Sequence, residues 1–430
     1  MGGNLPFMPM KDSSVHVELR LGISMLMMFI VASGLVHGQE ALRSAVETDR
    51  GYRARTAARQ AGAEQIKAGP VIVQAGISYA FEWNDNIYYR PENTEEDFIH
   101  RPQFNVHAIW PVTRESVLSF GVGVGYELYT KHSDLSRLAV TPDSELAWDI
   151  AIKDFGLTLF DRIEYSQDVL GQPGISRAAR FPRLENTVGF RARWNPKRWV
   201  FEAGYSHFNF ISWTDEYDYL NRSTEQFFGR VGYRFGHETI AGIEVSADLT
   251  DYDSELSTDN VGTSIGPFVQ WQLTRDIELN ARGGYVMYSS DKSLLTGESR
   301  ELRSYYSGVE VRHRITRAIS HSLSVDRQVR QSFWLGGDFM ELLSVRYGGS
   351  WAFYKYAALN LSVFYENGKQ PRAAGLSETF DRCGFNVGVN YQILRRLGAG
   401  LGYRYVKRDS DVNDLDYRQN AVIISGTYRF

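Results

Sequence analysis

Beyond Val71 the chain keeps a single period of two residues, segment after segment. In Val71 to Trp83 every odd position is apolar (Val71, Val73, Ala75, Ile77, Tyr79, Phe81, Trp83), while the even positions include Gln74, Gly76, Ser78 and Glu82. The dyad recurs at Leu118, Phe120, Val122, Val124, Tyr126 and Leu128, and again at Leu359, Leu361, Val363 and Tyr365. Successive side chains of a strand point to opposite faces, so each segment has one apolar face and one polar or small face. Eighteen such segments lie between residues 71 and 430, each about 9 to 15 residues long. That length suits tilted membrane-crossing strands and exceeds the usual strand of a soluble sheet.

The connections alternate between short and long. Short ones include Lys153 to Gly156, Asn195 to Arg198 and Tyr354 to Tyr356; long ones include Asn84 to Phe98, Ser166 to Arg183 and Ser289 to Leu302. Short turns on one rim and long loops on the other are the pattern of an antiparallel outer-membrane barrel, with periplasmic turns and extracellular loops. An even strand number puts both ends of the barrel on the short-turn side. Eighteen meets this condition, and sixteen meets it if one hairpin is split too many. Closure also removes sheet edges, whose unpaired amides lipid could not satisfy. Aromatics near segment ends, among them Trp110, Trp148, Trp194, Trp199, Trp271 and Trp351, fit an interfacial girdle on the apolar face. The competing reading, core aromatics of a soluble sandwich or propeller, does not suit strands of this length.

Composition is consistent with this only when read by face. The chain is 43% hydrophobic and 23% charged, with 47 Lys+Arg against 51 Asp+Glu. Its mean hydropathy is -0.33. These averages resemble a soluble protein because they mix two faces of every strand. The formal net charge of -4 offers no field that would draw in nucleic acid. A lone Cys383 excludes an internal disulfide.

The N-terminus reads as an address. Leu21 to Leu35 is an apolar stretch preceded by Lys11 and Arg20 and followed by small Gly38, the layout of a secretory signal peptide over residues 1–38. A short membrane anchor is the alternative, and the stretch is short for a span. Residues 39–69 are rich in Ala, Arg, Glu and Gln and are expected to form a flexible or weakly helical leader on the periplasmic side. The barrel then occupies residues 70–430.

The last strand, Asn420 to Phe430, carries Val422, Ile424, Gly426, Tyr428 and the terminal Phe430 on one face. It resembles the C-terminal signal read by the outer-membrane assembly machinery, which implies that role for Tyr428 and Phe430. The first hairpin, Ala75 to Arg90, runs through Glu82, Asn84, Asp85, Asn86 and Ile87 and resembles the opening of the family known as putative β-barrel porin 2 and of related outer-membrane β-barrel families. The resemblance implies a bacterial outer-membrane barrel. Some members are associated with exopolysaccharide export, which implies an exit pore with periplasmic export partners as an alternative.

With the other face turned inward, the candidate pore lining is Arg101, Arg162, Arg191, Arg193, Arg230, Arg234, Arg282, Arg312, Arg314, Arg346, Arg382 and Arg404, interleaved with carboxylates that include Glu127, Glu202, Glu244 and Glu310. Arg outnumbers Lys by 38 to 9, and Arg suits fixed bidentate pairing. One reading makes these charges cross-strand ion pairs lining a wet, weakly selective channel. The sharper one makes Arg191, Arg193, Arg230 and Arg234, with Arg282, Arg312 and Arg314 further round, a basic stripe for an acidic polysaccharide or another anion. Acidic loops, such as Glu92 to Asp97, could share divalent ions with lipopolysaccharide, but none has a calcium-loop pattern.

No nucleophile, base and orienting group fall together, and no metal or cofactor motif is present. The expected function is passive passage of small hydrophilic solutes, without catalysis, cofactor or metal. A surface receptor or adhesin barrel is the remaining alternative.

Overall fold

The computed structural model describes residues 41, 44, 47, 48, 51, 52, 55, 66–167, 169–175, 181–236, 238–292, 297, 299–335, 339–371 and 376–430. The expected signal peptide lies outside the described residues.

The dyad segments form one antiparallel sheet closed on itself. Its strands, in chain order, are β1 (Val71–Asn84), β2 (Asp97–Pro111), β3 (Ser116–Tyr129), β4 (Arg137–Val140 and Glu145–Ile152), β5 (Phe155–Ser166) and β6 (Arg183–Trp194). Then follow β7 (Trp199–Ser212), β8 (Arg222–Phe235), β9 (Thr239–Tyr252), β10 (Asn260–Gln272), β11 (Ile277–Ser290) and β12 (Glu301–Arg314). The ring is completed by β13 (Ile319–Gln331), β14 (Phe339–Tyr354), β15 (Ala357–Pro371), β16 (Ser377–Gln392), β17 (Leu397–Ser410) and β18 (Tyr417–Arg429). Each strand pairs with its neighbours in sequence, and β18 closes the ring on β1, from Gly76↔Arg429 to Asn84↔Ala421. The backbone of Phe430 adds a bond to the Ala75 carbonyl at 3.0 Å. A short strand, Ile66–Ala68, pairs with the start of β1 and stands outside the eighteen.

β4 is the one strand broken in two. Its first part pairs with Val124 to Glu127 and its second with Ser116 to Gly121, both on β3. Pro142 lies in the break; proline has no N–H to give to a ladder. Thr141 and Ser144 keep the backbone continuous through bonds to Gly123 and Thr141 carbonyls at 2.9 and 3.0 Å.

Burial is inverted relative to a soluble protein. Outward Ile243, Leu401, Ile424 and Ile265 are more than half exposed, whereas inward Glu82, Glu244 and Arg408 are essentially covered. An apolar belt this continuous belongs against lipid, which explains why the alternation is so strict in mid-strand. Trp110, Trp148, Trp194, Trp199, Trp271 and Trp351 are all exposed on this outer face, as is Cys383. His321, whose neighbour Ser322 faces inward, meets His313 on the same outer surface at 3.0 Å.

Several strands run further than the alternation indicates. β15 continues to Pro371 and β16 begins at Ser377, leaving a tip much shorter than the expected loop from Asn367 to Thr379. Beyond the lipid the outer face meets water as well, so Lys369 and Asp381 there are polar and exposed, while inward Gln370 and Glu378 stay buried and the backbone ladder continues. At the rim, Asp97 gathers the backbone N–H groups of Lys131 and His132 and the His132 ring at 2.8 Å; the other ring nitrogen meets Glu95 at 2.7 Å. Partial burial opposes protonation of His132, but the hydrogen bonds to the two carboxylates outweigh it and raise its pKa.

Two expectations follow. A Cβ at Gly242 would lie 1.9 Å from the Val231 carbonyl oxygen, so that β8 and β9 can approach only with glycine there, whereas Gly426 has open space. Gly242→Val should abolish the heat-modifiable gel mobility of the folded barrel, and Gly426→Ala should leave it intact. A raised pKa for His132 stabilises the loop fully below about pH 6.5, its unfolded value, and that contribution disappears as pH rises through the higher folded value. His132→Asn should therefore speed proteolytic nicking of the loop after β3 at pH 5.5 more than at pH 8.5, and an equal effect at both would refute the pairing.

Candidate functional site in the barrel lumen

The strand register places all sixteen candidate lining residues on the inward phase: for example Arg230 opposite both Glu202 and Glu244, and Arg193 opposite Glu202. It also brings most of them together. Glu202 on β7 receives Arg191 at 3.0 Å, Arg193 at 3.4 Å and Arg230 at 3.6 Å. Arg230 reaches on to Glu244 at 2.7 Å and stacks over Phe268, 4.2 Å from the ring centroid. The Tyr306 hydroxyl donates to the same Glu244 at 3.3 Å. Three members of the supposed basic stripe thus converge on one carboxylate, and Arg234 stands four residues further along β8, next to its last residue.

The same motif repeats around the ring. Glu366 receives Arg346 at 2.5 Å and Arg382 at 3.2 Å. Glu82 receives Arg404 at 2.7 Å and also Arg101, which continues to Glu127 at 2.9 Å. Arg312 holds Glu310 at 2.9 Å, Arg314 meets Asp276 at 2.6 Å, and Arg282 approaches Asp326 at 4.0 Å. Arg162 is tied instead to Glu47 of the N-terminal segment at 3.0 Å. Carboxylates shared between guanidiniums hold these long side chains flat against the wall.

Two segments cross or enter the lumen. The described residues of the loop between β5 and β6 (167, 169–175 and 181–182) reach inward from one side of the ring to the other. Gln167 donates to Glu127, Gln370 on β15 donates to the Gly174 carbonyl at 3.1 Å, and Arg382 on β16 donates to the Leu170 carbonyl at 2.8 Å. Val169, Ile175 and Phe181 bury themselves with Phe208, Phe210, Leu220 and Tyr417. Phe181 meets Tyr217 edge-on with centroids 4.7 Å apart. This apolar knot narrows the loop end of the barrel. Sequence reasoning missed these residues; the available signal was a cluster of Val169, Leu170, Ile175 and Phe181 in a loop otherwise expected to be polar.

The second is the leader, expected on the periplasmic side. Its described residues Ala41, Ser44, Glu47, Thr48, Gly51, Tyr52 and Arg55 are helical, and Ala41, Ser44, Glu47, Thr48 and Arg55 meet the inward wall. The Ala41 N–H donates to Asp248 on β9 at 2.7 Å, and the Ser44 hydroxyl meets Ser206 on β7 at 3.0 Å. Arg55 grips Asp149 on β4 through two bonds of 2.9 Å and also pairs with Glu145. Spacings of three and four residues put these described residues on one helical face against this wall, where their partners are hydroxyls and charges.

Tyr428 and Phe430 lie on the outer face with centroids 5.5 Å apart, beside the closing seam. Among the described residues no group of three or more His, Cys, Asp or Glu side chains could hold a metal ion, and no helix is long and apolar enough to cross a membrane.

Comparison with solved structures finds outer-membrane barrels. One is the outer membrane protein opdK from Pseudomonas aeruginosa, with 12% identity, 83% of this chain and 99% of that chain covered, and a TM-score of 0.45. A BenF-like porin from Pseudomonas fluorescens Pf-5 gives 14% identity over the same shares and 0.47; Acinetobacter baumannii OccAB3 gives 12%, again over the same shares, and 0.45. Comparison with curated protein sequences finds no match. The family described as Putative beta-barrel porin 2 matches residues 59–430, the whole barrel. The chain belongs to that family of porins of the bacterial outer membrane.

Proposed function

We propose that this porin is a passive channel for small hydrophilic solutes, narrowed at one end by the loop between β5 and β6 and along one wall by the N-terminal helical segment. The observation that carries this reading is the closed ring with an apolar exterior and a lumen of paired Arg and Glu. Such a lining keeps a pore wet without a strong preference for either ion sign. Nothing in this lining supplies a nucleophile and base, so transport, not catalysis, is the activity we assign.

An exit pore for acidic exopolysaccharide, working with periplasmic export proteins, has less support. It would need guanidiniums aimed at a polyanion, whereas Arg191, Arg193 and Arg230 already share Glu202. No observation favours a receptor or adhesin. In this reading residues 1–38 are a cleaved export signal, and the barrel contacts lipid, lipopolysaccharide and the assembly machinery, with Tyr428 and Phe430 as the assembly signal.

Conductance of the purified barrel in planar bilayers tests the channel; a folded barrel without conductance would overturn it. Arg55→Ala removes the grip on Asp149 and Glu145 and is expected to raise the mean single-channel conductance or the open fraction severalfold. Glu202 has a side chain only 4% exposed, and its loss removes a carboxylate shared by Arg191, Arg193 and Arg230, of which Arg230 keeps Glu244. Glu202→Gln is expected to lower stability in urea by about 3 kcal/mol, the cost of breaking a buried pair, and to shift the reversal potential toward anion preference.

A further inference from the structure

The charges of the lumen are not spread evenly. On β13, β14, β15 and β16, register pairing joins Ser322, Ser350, Asn360, Ser362, Asn386 and Asn390 into one continuous inward patch. Small residues extend it: Gly388 opposite Asn360, Gly402 opposite Gly388, and Gly400 opposite Ser425. No ionisable side chain interrupts it. Its loop-side border is Arg346, Arg382 and Arg404, each engaged with Glu366 or Glu82. The N-terminal helical residues, by contrast, seat on β4, β5, β7 and β9, about half a turn of the ring away. Among the described residues their contacts fall on charged wall and none falls on the neutral patch.

A wall of small hydroxyls and glycines is not in itself a binding site. Here it carries a second feature. Asn360 is only 8% exposed, and neither its amide nitrogen nor its amide oxygen has a hydrogen-bond partner. A buried amide left unmet in both roles is costly. A group that both donates and accepts through one atom, as an alcohol does, satisfies it without adding charge. Around it, the Asn386 amide already donates to the Ser362 hydroxyl at 3.1 Å, so the patch holds its own side chains in place.

From this we propose that the neutral patch centred on Asn360 is a subsite for uncharged polyhydroxylated solutes, such as short neutral saccharides, and that it sets the solute class of the channel. The proposal rests on the channel reading. A saccharide bound there offers hydroxyls to the unmet amide and its neighbours and meets no fixed charge, while an anionic sugar of the same size meets no cation that is not already paired with a carboxylate.

The test uses the full-length barrel in planar bilayers, with ion current recorded while maltotriose is added, and size-matched trigalacturonate in parallel. Maltotriose is expected to reduce and modulate the current in a saturable way, at lower concentration than trigalacturonate. Asn360→Ala should raise the half-blocking concentration by about threefold to tenfold, the effect of one neutral hydrogen bond. Asn360→Asp, which preserves size and one acceptor, should weaken maltotriose block similarly and shift selectivity toward cations. Heat-modifiable mobility verifies that each variant is folded; should Asn360→Ala fail to fold, Ser322→Val gives the same comparison. A conducting barrel that maltotriose does not block, that the variants leave equally blocked, or that trigalacturonate blocks better overturns the proposal and leaves the channel standing. A folded barrel that conducts no ions overturns both.

Discussion

Closure of β18 on β1 is the interaction on which the rest of the molecule depends. In hydrocarbon every unpaired backbone amide is costly, and a sheet meets that condition only as a ring. Nine residues of β1 pair with β18 between Gly76 and Asn84, and that seam converts an open meander with two exposed edges into a continuous wall. Once the ring exists, the two faces of every strand acquire opposite solvents. The exposed Ile243, Ile265 and Leu401 and the covered Glu82 and Glu244 are consequences of it.

Inside the ring the dominant chemistry is the sharing of carboxylates by arginines. Glu202, Glu366 and Glu82 each accept more than one guanidinium. Flat, forked guanidiniums can lie along the wall and over rings such as Phe268, which holds the lumen open without leaving a large net field. The same pairs bind the two segments that enter the lumen. Arg382, a partner of Glu366, also holds the Leu170 carbonyl of the inward loop, and Arg162 holds Glu47 of the N-terminal segment. Wall stiffness and pore narrowing therefore draw on the same side chains.

Much of this was legible beforehand, for a simple reason. A strand between lipid and water must alternate, so the eighteen segments and the inward phase of Arg101, Arg191 or Glu310 follow from parity. Legibility ended where parity ends. The extensions of β15 and β16 past the membrane lack the apolar dyad because their outer face meets water in place of lipid. The break of β4 was readable only in hindsight, from Pro142.

Sequence by itself determined the class: a chain whose hydrophobicity is spaced every second residue, with short and long connections in alternation, can satisfy its backbone in lipid only as a barrel. It also determined which side chains face inward, because direction follows from position along a strand. Tertiary structure alone decided what those side chains do. The convergence of Arg191, Arg193 and Arg230 on Glu202, the reach of Gly174 and Leu170 to β15 and β16, and the seating of Arg55 on Asp149 all join residues that closure brings together across the lumen or across the register. Period and composition carry no information about such partners, since these depend on which strands the ring makes neighbours and which it sets face to face.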